Sequence, residues 1–538
     1  MKKLLILALV LSVAAFAFAG GRGEPSPQPP KEAAAPTPAK EPVVFNYNNQ
    51  TEPQSLDPAT VTGVPEHRIY MALFEGLVTY DPKTLAAVPG VAESWEISDD
   101  GLTFTFKLRR NAVWSDGTPV TAQQFVDSWL RFLDPELAAE YTYMMNMVIK
   151  GAEAYNTGEA GPEAVQIRAL DDRTFQFDLV GPAPYALDML CHYAFAVHPL
   201  HVIEKYGDNW IRPDNIVSNG PFVLEEWTPH DKIVVVKNDK YWDADKVRLD
   251  KVVFYPIEDE NTSLNLYLEG QLDQIETVPD ARLDEMKLHP TYHVNAAFIT
   301  YYYIFNTLRE PLDDARVRKA LAMAIDRQEL VDKVSRGGQF PAYGISPPLA
   351  YYPKVVAFKE DVEAAKKLLA EAGFPGGRGF PKMTILYNTS EGHKRIAEYV
   401  QQKWAETLGI QVEIMNQEWG TYLDTRFTGD FDISRAGWQG DYVDPNSFLD
   451  MWITGSDLND GDWSNKEFDD LIFKAARMPA GQERLDTLRK AEEILIGQDM
   501  AIMPFYYYTR TNWIDTDKWG GWYETILDVH PWKDIYKK

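Results

Sequence analysis

Apolar and polar positions alternate with a period of two in several short stretches, as half-buried strands require. Leu102–Leu108 (LTFTFKL) is the clearest, and Val43-Val44-Phe45, Thr174–Val180, Lys232–Lys237 and Met383–Tyr387 also read as strands. A helical period separates them. Thr121 stands as an N-cap before Phe125, Trp129, Phe132 and Leu133, which fall on one helical face. Asp313 or Asp314 caps a helix whose Val317, Leu321, Ala324 and Ile325 share a face. Asp361–Ala372 is amphipathic and is closed by Gly373 at C′. Ser390 caps a helix carrying Ile396, Val400 and Trp404, and Leu485–Ile496 forms a late helix. Strand and helix signals alternate irregularly, without an internal repeat. The 538 residues exceed one ordinary domain of about 100–200. The pattern predicts a mixed α/β protein of more than one lobe.

The chain's start has a different texture. Lys2 and Lys3 precede an apolar run from Leu4 to Phe18, and Ala17-Phe18-Ala19 fits a small-residue cleavage site. Residues 1–19 are expected to be a secretory signal peptide, too short for a membrane span of about 20 residues. Gly20 and Gly21 follow where a lipoprotein would carry its lipid-accepting cysteine, so a soluble periplasmic protein is expected. Residues 20–41 are rich in Pro, Ala and Gly and read as a disordered tether, with order beginning near Pro42.

Composition narrows the function. A net charge of −27 disfavours a nucleic-acid partner, which needs basic surface to neutralise phosphates. Cys191 is the one cysteine and sits in the apolar run LDMLCHYAFAV, where a buried, inert thiol is expected. No GxSxG elbow, HExxH helix, P-loop or GxGxxG is present. His198 and His201 have HxxH spacing, but Pro199 between them argues for a turn rather than a metal-binding helix. DLNDGDWSNKE (457–467) places Gly461 one position early for a calcium loop and reads as a solvated acidic loop. With 80 acidic residues, carboxylate pairs alone say nothing about catalysis.

Several segments, in order, carry a family likeness. They are YNNQTEPQSLDP (47–58), Thr62-Gly63-Val64-Pro65, LFEGL (73–77), PGVAESWEISDDGLTFTFKLR (89–109) and WSDGTPVTAQQFVDSW (114–129). YYYIFNT (301–307), PLDDARVRKALAMAIDR (311–327), NQEW (416–419), SRAGWQGDYVDPNSF (434–448) and MPFYYY (503–508) follow. The pattern resembles the periplasmic oligopeptide-binding proteins of ABC importers (family 5 extracellular solute-binding proteins) over essentially everything after the tether. The resemblance implies a type II-like two-lobed clamp with an extra domain on the first lobe. On this chain, lobe I would be residues 43–74, 200–298 and 510–538, the extra domain 75–199, and lobe II 299–509. The chain would cross the hinge near Phe298 and Thr509. A monomer that partners the importer's inner-membrane permease subunits is expected, with no cofactor or metal.

The resemblance also implies a site. Peptides of any sequence can be held through their main chain as an added strand, with side chains in roomy wet pockets. Asp441 matches the aspartate that pairs with the peptide α-ammonium. Gly437-Trp438-Gln439 matches a strand bonding the ligand backbone on one side, and Thr62-Gly63-Val64 matches the strand on the other. Trp438, Trp419 and Tyr141 match aromatic pocket walls, and Tyr302 and Tyr508 match tyrosines near the cleft and hinge. Arg435 and His393 match cations for the ligand carboxylate, His393 at a helix N-terminus whose dipole favours an anion. Arg426 lies after NQEW and is placed to line the same cleft.

This chain departs from relatives at three points. Ser335, with Arg336 beside it, stands where many carry a lysine for the carboxylate of short peptides. Glu276-Thr277-Val278 replaces an asparagine-rich turn, and Ile299 and Gln439 occupy the two positions of a disulfide. The expected mechanism is a clamp that closes on peptide and is then recognised by the importer. Competing readings are a muropeptide or oligosaccharide binder, an exported peptidase and a receptor-docking sensor.

Overall fold

An eleven-stranded mixed sheet organises the computed structural model, which describes residues 41–538. The signal peptide and all but the last residue of the tether lie outside the described residues. In chain order the strands are β1 (Val44–Asn48), β2 (Phe222–Thr228), β3 (Lys232–Lys237), β4 (Lys251–Tyr255), β5 (Gln274–Ile275) and β6 (Tyr292–Phe305). Then come β7 (Phe340–Pro341), β8 (Met383–Asn388), β9 (Val412–Gln417), β10 (Ile433–Gln439) and β11 (Ile502–Ile514). Their spatial order is β9-β8-β10-β6-β11-β5-β1-β4-β3-β2, with β7 on β11.

β6 and β11 join the two halves of this sheet. The start of β6 pairs with the end of β11, from Tyr292↔Trp513 to Ala296↔Thr509. The register then breaks between Ala296 and Thr300. Beyond the break, β6 lies between β11 and β10, from Ile299↔Gln439 to Phe305↔Ile433. Both strands read as near-continuous apolar runs here because both faces are covered. Phe298 through Phe305 are all buried. The result is two lobes, one around β1–β5 and one around β8–β10.

The predicted elements form with small boundary shifts. Thr121 closes a capping box with Gln124 on the helix Ala122–Leu133, a cap whose loss costs about 1 kcal/mol. Phe125, Trp129, Phe132 and Leu133 are buried on this helix. Trp129 meets Phe175 edge-on at 4.9 Å on a separate four-stranded sheet of Ala92–Ile97, Thr103–Leu108, Thr174–Asp178 and Ile167–Asp171. Asp314, rather than Asp313, caps the helix Ala315–Met323. Asp361 caps Val362–Glu371, and Gly373 has φ 103°, a left-handed conformation that glycine adopts without strain. The late helix spans Gln482–Glu492 and continues as a π-helical segment to Gln498.

Two expectations about loops change. DLNDGDWSNKE is not solvated throughout: Asp460 is buried and holds Arg426 in an ion pair. The His198 ring is buried with neither nitrogen bonded among the described residues, while His201 lies 2.8 Å from Asp116. Cys191 is buried, and burial raises its thiol well above its ordinary value, as an inert side chain requires.

Candidate functional site

A cavity of about 410 Å³ lies between the lobes, within the usual size of ligand pockets. It brings together Thr62, Gly63, Val64, Tyr141, His393, Trp419, Arg426, Arg435, Gly437, Trp438, Gln439, Asp441 and Tyr508. Tyr302 is not among its walls.

Asp441 follows β10 in the turn that leads to Pro445. Its Oδ1 lies 3.3 Å from His192 Nε2, and the Tyr143 hydroxyl donates to Oδ2 at 3.1 Å. Its backbone N–H donates to Ser447 Oγ at 2.8 Å, which fixes the turn. The side chain is 7% exposed, a carboxylate in a largely dry wall. Such a group gains most from a cation that brings hydrogen bonds with it. Beside it, Tyr141 stacks on His192 at 4.9 Å and on Trp438 at 6.0 Å, and Trp438 Nε1 donates to Ser447 O at 2.5 Å.

At the other end of β10, Arg435 Nη1 donates to Asn388 Oδ1 at 3.1 Å and Nη2 to the Tyr508 hydroxyl at 3.0 Å. The guanidinium lies 4.9 Å over the Tyr301 ring, and Nε is buried without a partner among the described residues. Every partner is neutral, so Arg435 is a buried cation without a counter-anion among the described residues. Between the two charges, Gly437 is exposed to the cavity. A Cβ there would sit 3.1 Å from Arg435 Nη2, so a larger residue would require the guanidinium to shift by a few tenths of an ångström.

Three expectations for the site are corrected, and Arg426, which lines the cavity as expected, turns out to be paired. Tyr302 is 1% exposed and packs edge-on against Trp452, because strand side chains alternate and Tyr301, not Tyr302, shares a face with Arg435. Thr62-Gly63-Val64 is no strand: Gly63 is an extended N-cap (φ −109°, ψ 159°) feeding the helix Val64–Leu73. Arg426 reaches the cavity, but its charge is spent on Asp460, with Nε donating to Oδ2 at 2.7 Å. His393 donates its backbone N–H to the Ser390 cap as expected, yet burial, then Arg435 and Arg395, hold its imidazole well below the ordinary range. It faces the cavity as a neutral ring.

The lysine substitute is also settled. Ser335 lines the cavity and donates to Gln339 Oε1 at 3.1 Å. Arg336 pairs with Asp280 at 2.9 Å and Asp284 at 2.7 Å and contributes nothing to the wall. Glu276 accepts from Tyr47 OH at 2.8 Å and Gln50 Nε2 at 3.0 Å, and lies between Arg68 and Arg510. Gln439 accepts from Arg510 Nη2 at 2.9 Å and donates to Leu527 O at 2.7 Å. Sequence reasoning missed Tyr143, His192, Asn388 and Tyr301. The first two come from segments far from β10 in the chain, and no local signal marks them.

A family model described as bacterial extracellular solute-binding proteins, family 5 Middle, matches residues 86–460. The chain is 40% identical over 502 residues to the periplasmic oligopeptide-binding protein OppA of Salmonella typhimurium, covering 91% of each. The structure of Haemophilus influenzae OppA in complex with RPPGFSPFR superposes with a TM-score of 0.87 at 34% identity, over 93% of this chain and 99% of that one. The Escherichia coli murein tripeptide-binding protein MppA superposes at 0.88 with 36% identity, over 93% and 99%. Its unliganded open form reaches 0.62 at the same 36% identity, so the lobes here do not stand in that open arrangement. The chain belongs to family 5 of the bacterial extracellular solute-binding proteins.

Proposed function

We propose that this chain is a periplasmic binding protein that captures oligopeptides in its interlobe cavity and delivers them to an ABC importer of the inner membrane. The observation that carries the reading is the pair of charges, Arg435 and Asp441, flanking the stretch of β10 that runs past its pairing with β8, which ends at Leu386↔Ser434. Asp441 suits the α-ammonium and Arg435 the α-carboxylate. β10 between them offers backbone groups to an extended main chain, at about 3.3 Å of strand per residue. A sugar would satisfy neither charge. Cutting the ligand would need an activated nucleophile, a metal or a paired acid and base aimed at a peptide carbonyl, so binding alone is the activity assigned.

The two halves of the sheet support the lobe bounds read from the sequence. Lobe I is 43–74, 200–298 and 510–538, with 75–199 as its extra domain, and lobe II is 299–509. The register break between Ala296 and Thr300, opposite Thr509, supports a hinge at these crossings. Peptide favours closure because only the closed form touches it from both sides. Isothermal titration with free peptides of two to eight residues, beside N-acetylated and C-amidated forms, tests the assignment. Binding of the free peptides and loss on blocking either end is expected. No heat with any peptide would overturn it.

A further inference from the structure

We propose that residues 75–199 carry the latch of the clamp: Tyr185 seats in a pocket of lobe II beside the turn that bears Asp441, and holds the lobes closed through contacts that no ligand shares. The inference rests on the lobe bounds above. None of the residues that form this contact lines the cavity, so it lies outside the ligand site.

Tyr185 follows the strand Thr174–Asp178 and precedes the one-turn helix Ala186–Met189. Its ring stacks on Tyr442 at 4.7 Å with 12° between the planes, and the Arg484 guanidinium lies 5.0 Å from its centre. Asn446 Nδ2 donates to its hydroxyl at 3.3 Å. All four side chains are buried. A buried tyrosine with a stacked ring, a cation and a satisfied hydroxyl uses every means by which such a side chain anchors a contact. Tyr185 comes from the extra domain, and the three residues around it from lobe II.

The receiving pocket is held rigid by its own network. The Tyr442 hydroxyl donates to Asp450 Oδ2 at 2.7 Å, and Asn446 Nδ2 donates to the same oxygen at 2.9 Å. Arg484 grips Asp444 with two bonds, Nη1 to Oδ2 at 2.8 Å and Nη2 to Oδ1 at 2.9 Å. Tyr442, Asp444 and Asn446 belong to the segment that begins at Asp441. The latch is thus fastened to the ammonium anchor's own turn. Tyr143 and His192 of the extra domain also reach this turn, but they meet Asp441 itself, where a ligand ammonium would compete with them. Tyr185 has no such competitor.

Gly181 supplies a second contact. A Cβ there would lie 2.9 Å from Arg477 Cα and 3.1 Å from Arg477 Cβ and Cγ. Arg477 follows the lobe II helix Lys466–Ala476. The three nearest atoms all belong to the opposite lobe, and the φ of Gly181 lies outside the left-handed region. A side chain at this position is therefore excluded by lobe II and not by the extra domain's own backbone. Pro182 and Pro184 fix φ at two of the three positions between Gly181 and Tyr185, which stiffens the arm.

A latch has a signature that a ligand contact lacks. Apparent affinity is the intrinsic affinity scaled by the fraction of molecules in the closed arrangement, so loss of the latch weakens every ligand by one factor. Tyr185→Ala removes the ring, Tyr185→Phe keeps it, and Gly181→Val wedges the contact from the second point. The test combines titration calorimetry, using peptides of different sequence and length, with the radius of gyration from X-ray scattering. Tyr185→Ala and Gly181→Val should weaken all peptides by a common factor of about ten or more. Both should enlarge the peptide-free protein, with return to the parent's radius at saturating peptide. Tyr185→Phe should stay near the parent, and thermal unfolding should show each variant folded. A factor that differs from peptide to peptide would overturn the proposal, because Tyr185 would then act on the ligand. So would parent-like affinity and radius in both Tyr185→Ala and Gly181→Val. If no peptide binds the parent, the peptide reading fails, while scattering from the peptide-free parent and variants still decides the latch.

Discussion

Asp441 and His192 face each other at 3.3 Å, Oδ1 to Nε2, at the end of the cavity lined by Tyr141 and Trp438. The Ala194 N–H donates to His192 Nδ1 at 3.3 Å, so in the neutral ring the hydrogen sits on Nε2 and points at the carboxylate. Together with Tyr143, the imidazole holds Asp441 in one orientation before any ammonium arrives.

Asp441→Ala and Asp441→Asn should each weaken peptide binding by about 2 kcal/mol or more, because the partner ammonium would be buried without a counter-charge. His192→Phe should cost less, since it removes an orienting contact and keeps the charge. Titration calorimetry with one tight peptide checks both. Unchanged affinity of Asp441→Ala would take Asp441 out of the site.

Arg435→Gln should weaken free peptides by about 2 kcal/mol or more, by the same reasoning. Amidated peptides should bind the variant and the parent almost equally. That double comparison isolates the charge pair from the loss of contacts to Asn388 and Tyr508. Tyr302→Phe, on the opposite face of β6, should leave affinity unchanged within about 0.5 kcal/mol.

Ile299 and Gln439 are directly paired neighbours on β6 and β10. Opposed residues of an antiparallel pair have Cα atoms about 4.5–5.5 Å apart, inside the range a disulfide spans. Ile299→Cys with Gln439→Cys should therefore oxidise to a cross-link, seen as the loss of two hydrogens by mass spectrometry. It should raise stability by about 2–4 kcal/mol, less the bonds of Gln439 to Arg510 and Leu527. Persistent free thiols after oxidation would contradict the register.

Burial, followed by charges from His192 and Arg68, lowers His67 to about 3, and burial with Arg131 lowers His198 to about 3 against the opposing charge of Asp57. Each ring is neutral when folded and takes up a proton near 6.5 when unfolded. Their contribution is whole above pH 6.5 and drains as pH falls from 6.5 toward 3, by up to about 1.4 kcal/mol per unit for each ring. Glu140, raised to about 8 by burial and then by Asp457 and Asp460, acts with the opposite sign, gaining as pH falls. The measurement is therefore a difference: His198→Phe should become more stable relative to the parent between pH 7 and pH 4.5. Parallel melting curves over that range would refute the buried-histidine account.

Local chemistry was legible in the chain because local signals suffice for it. The Thr121, Asp361 and Ser390 caps, the face carrying Phe125 and Trp129, and the alternation of Leu102–Leu108 each depend on residues a few positions apart. Asp441 and Arg435, the two charges of the proposed site, were also legible, because they sit six residues apart in one recognisable segment, and both line the cavity. Tertiary structure decided the rest. Whether Arg426 and Arg435 carry usable charge depends on Asp460 and Asn388, residues distant in sequence that only folding brings near. Tyr301 and Tyr302 are equivalent in the string YYY, and only the pairing of β6 with β10 and β11 decides which faces the arginine. His393 reads as a cation by type, but burial beside two guanidiniums keeps it neutral. Sequence determined which groups are present and how each local segment folds. Tertiary folding set the dielectric and the counter-charges, and electrostatic interactions depend on those surroundings more than on residue identity.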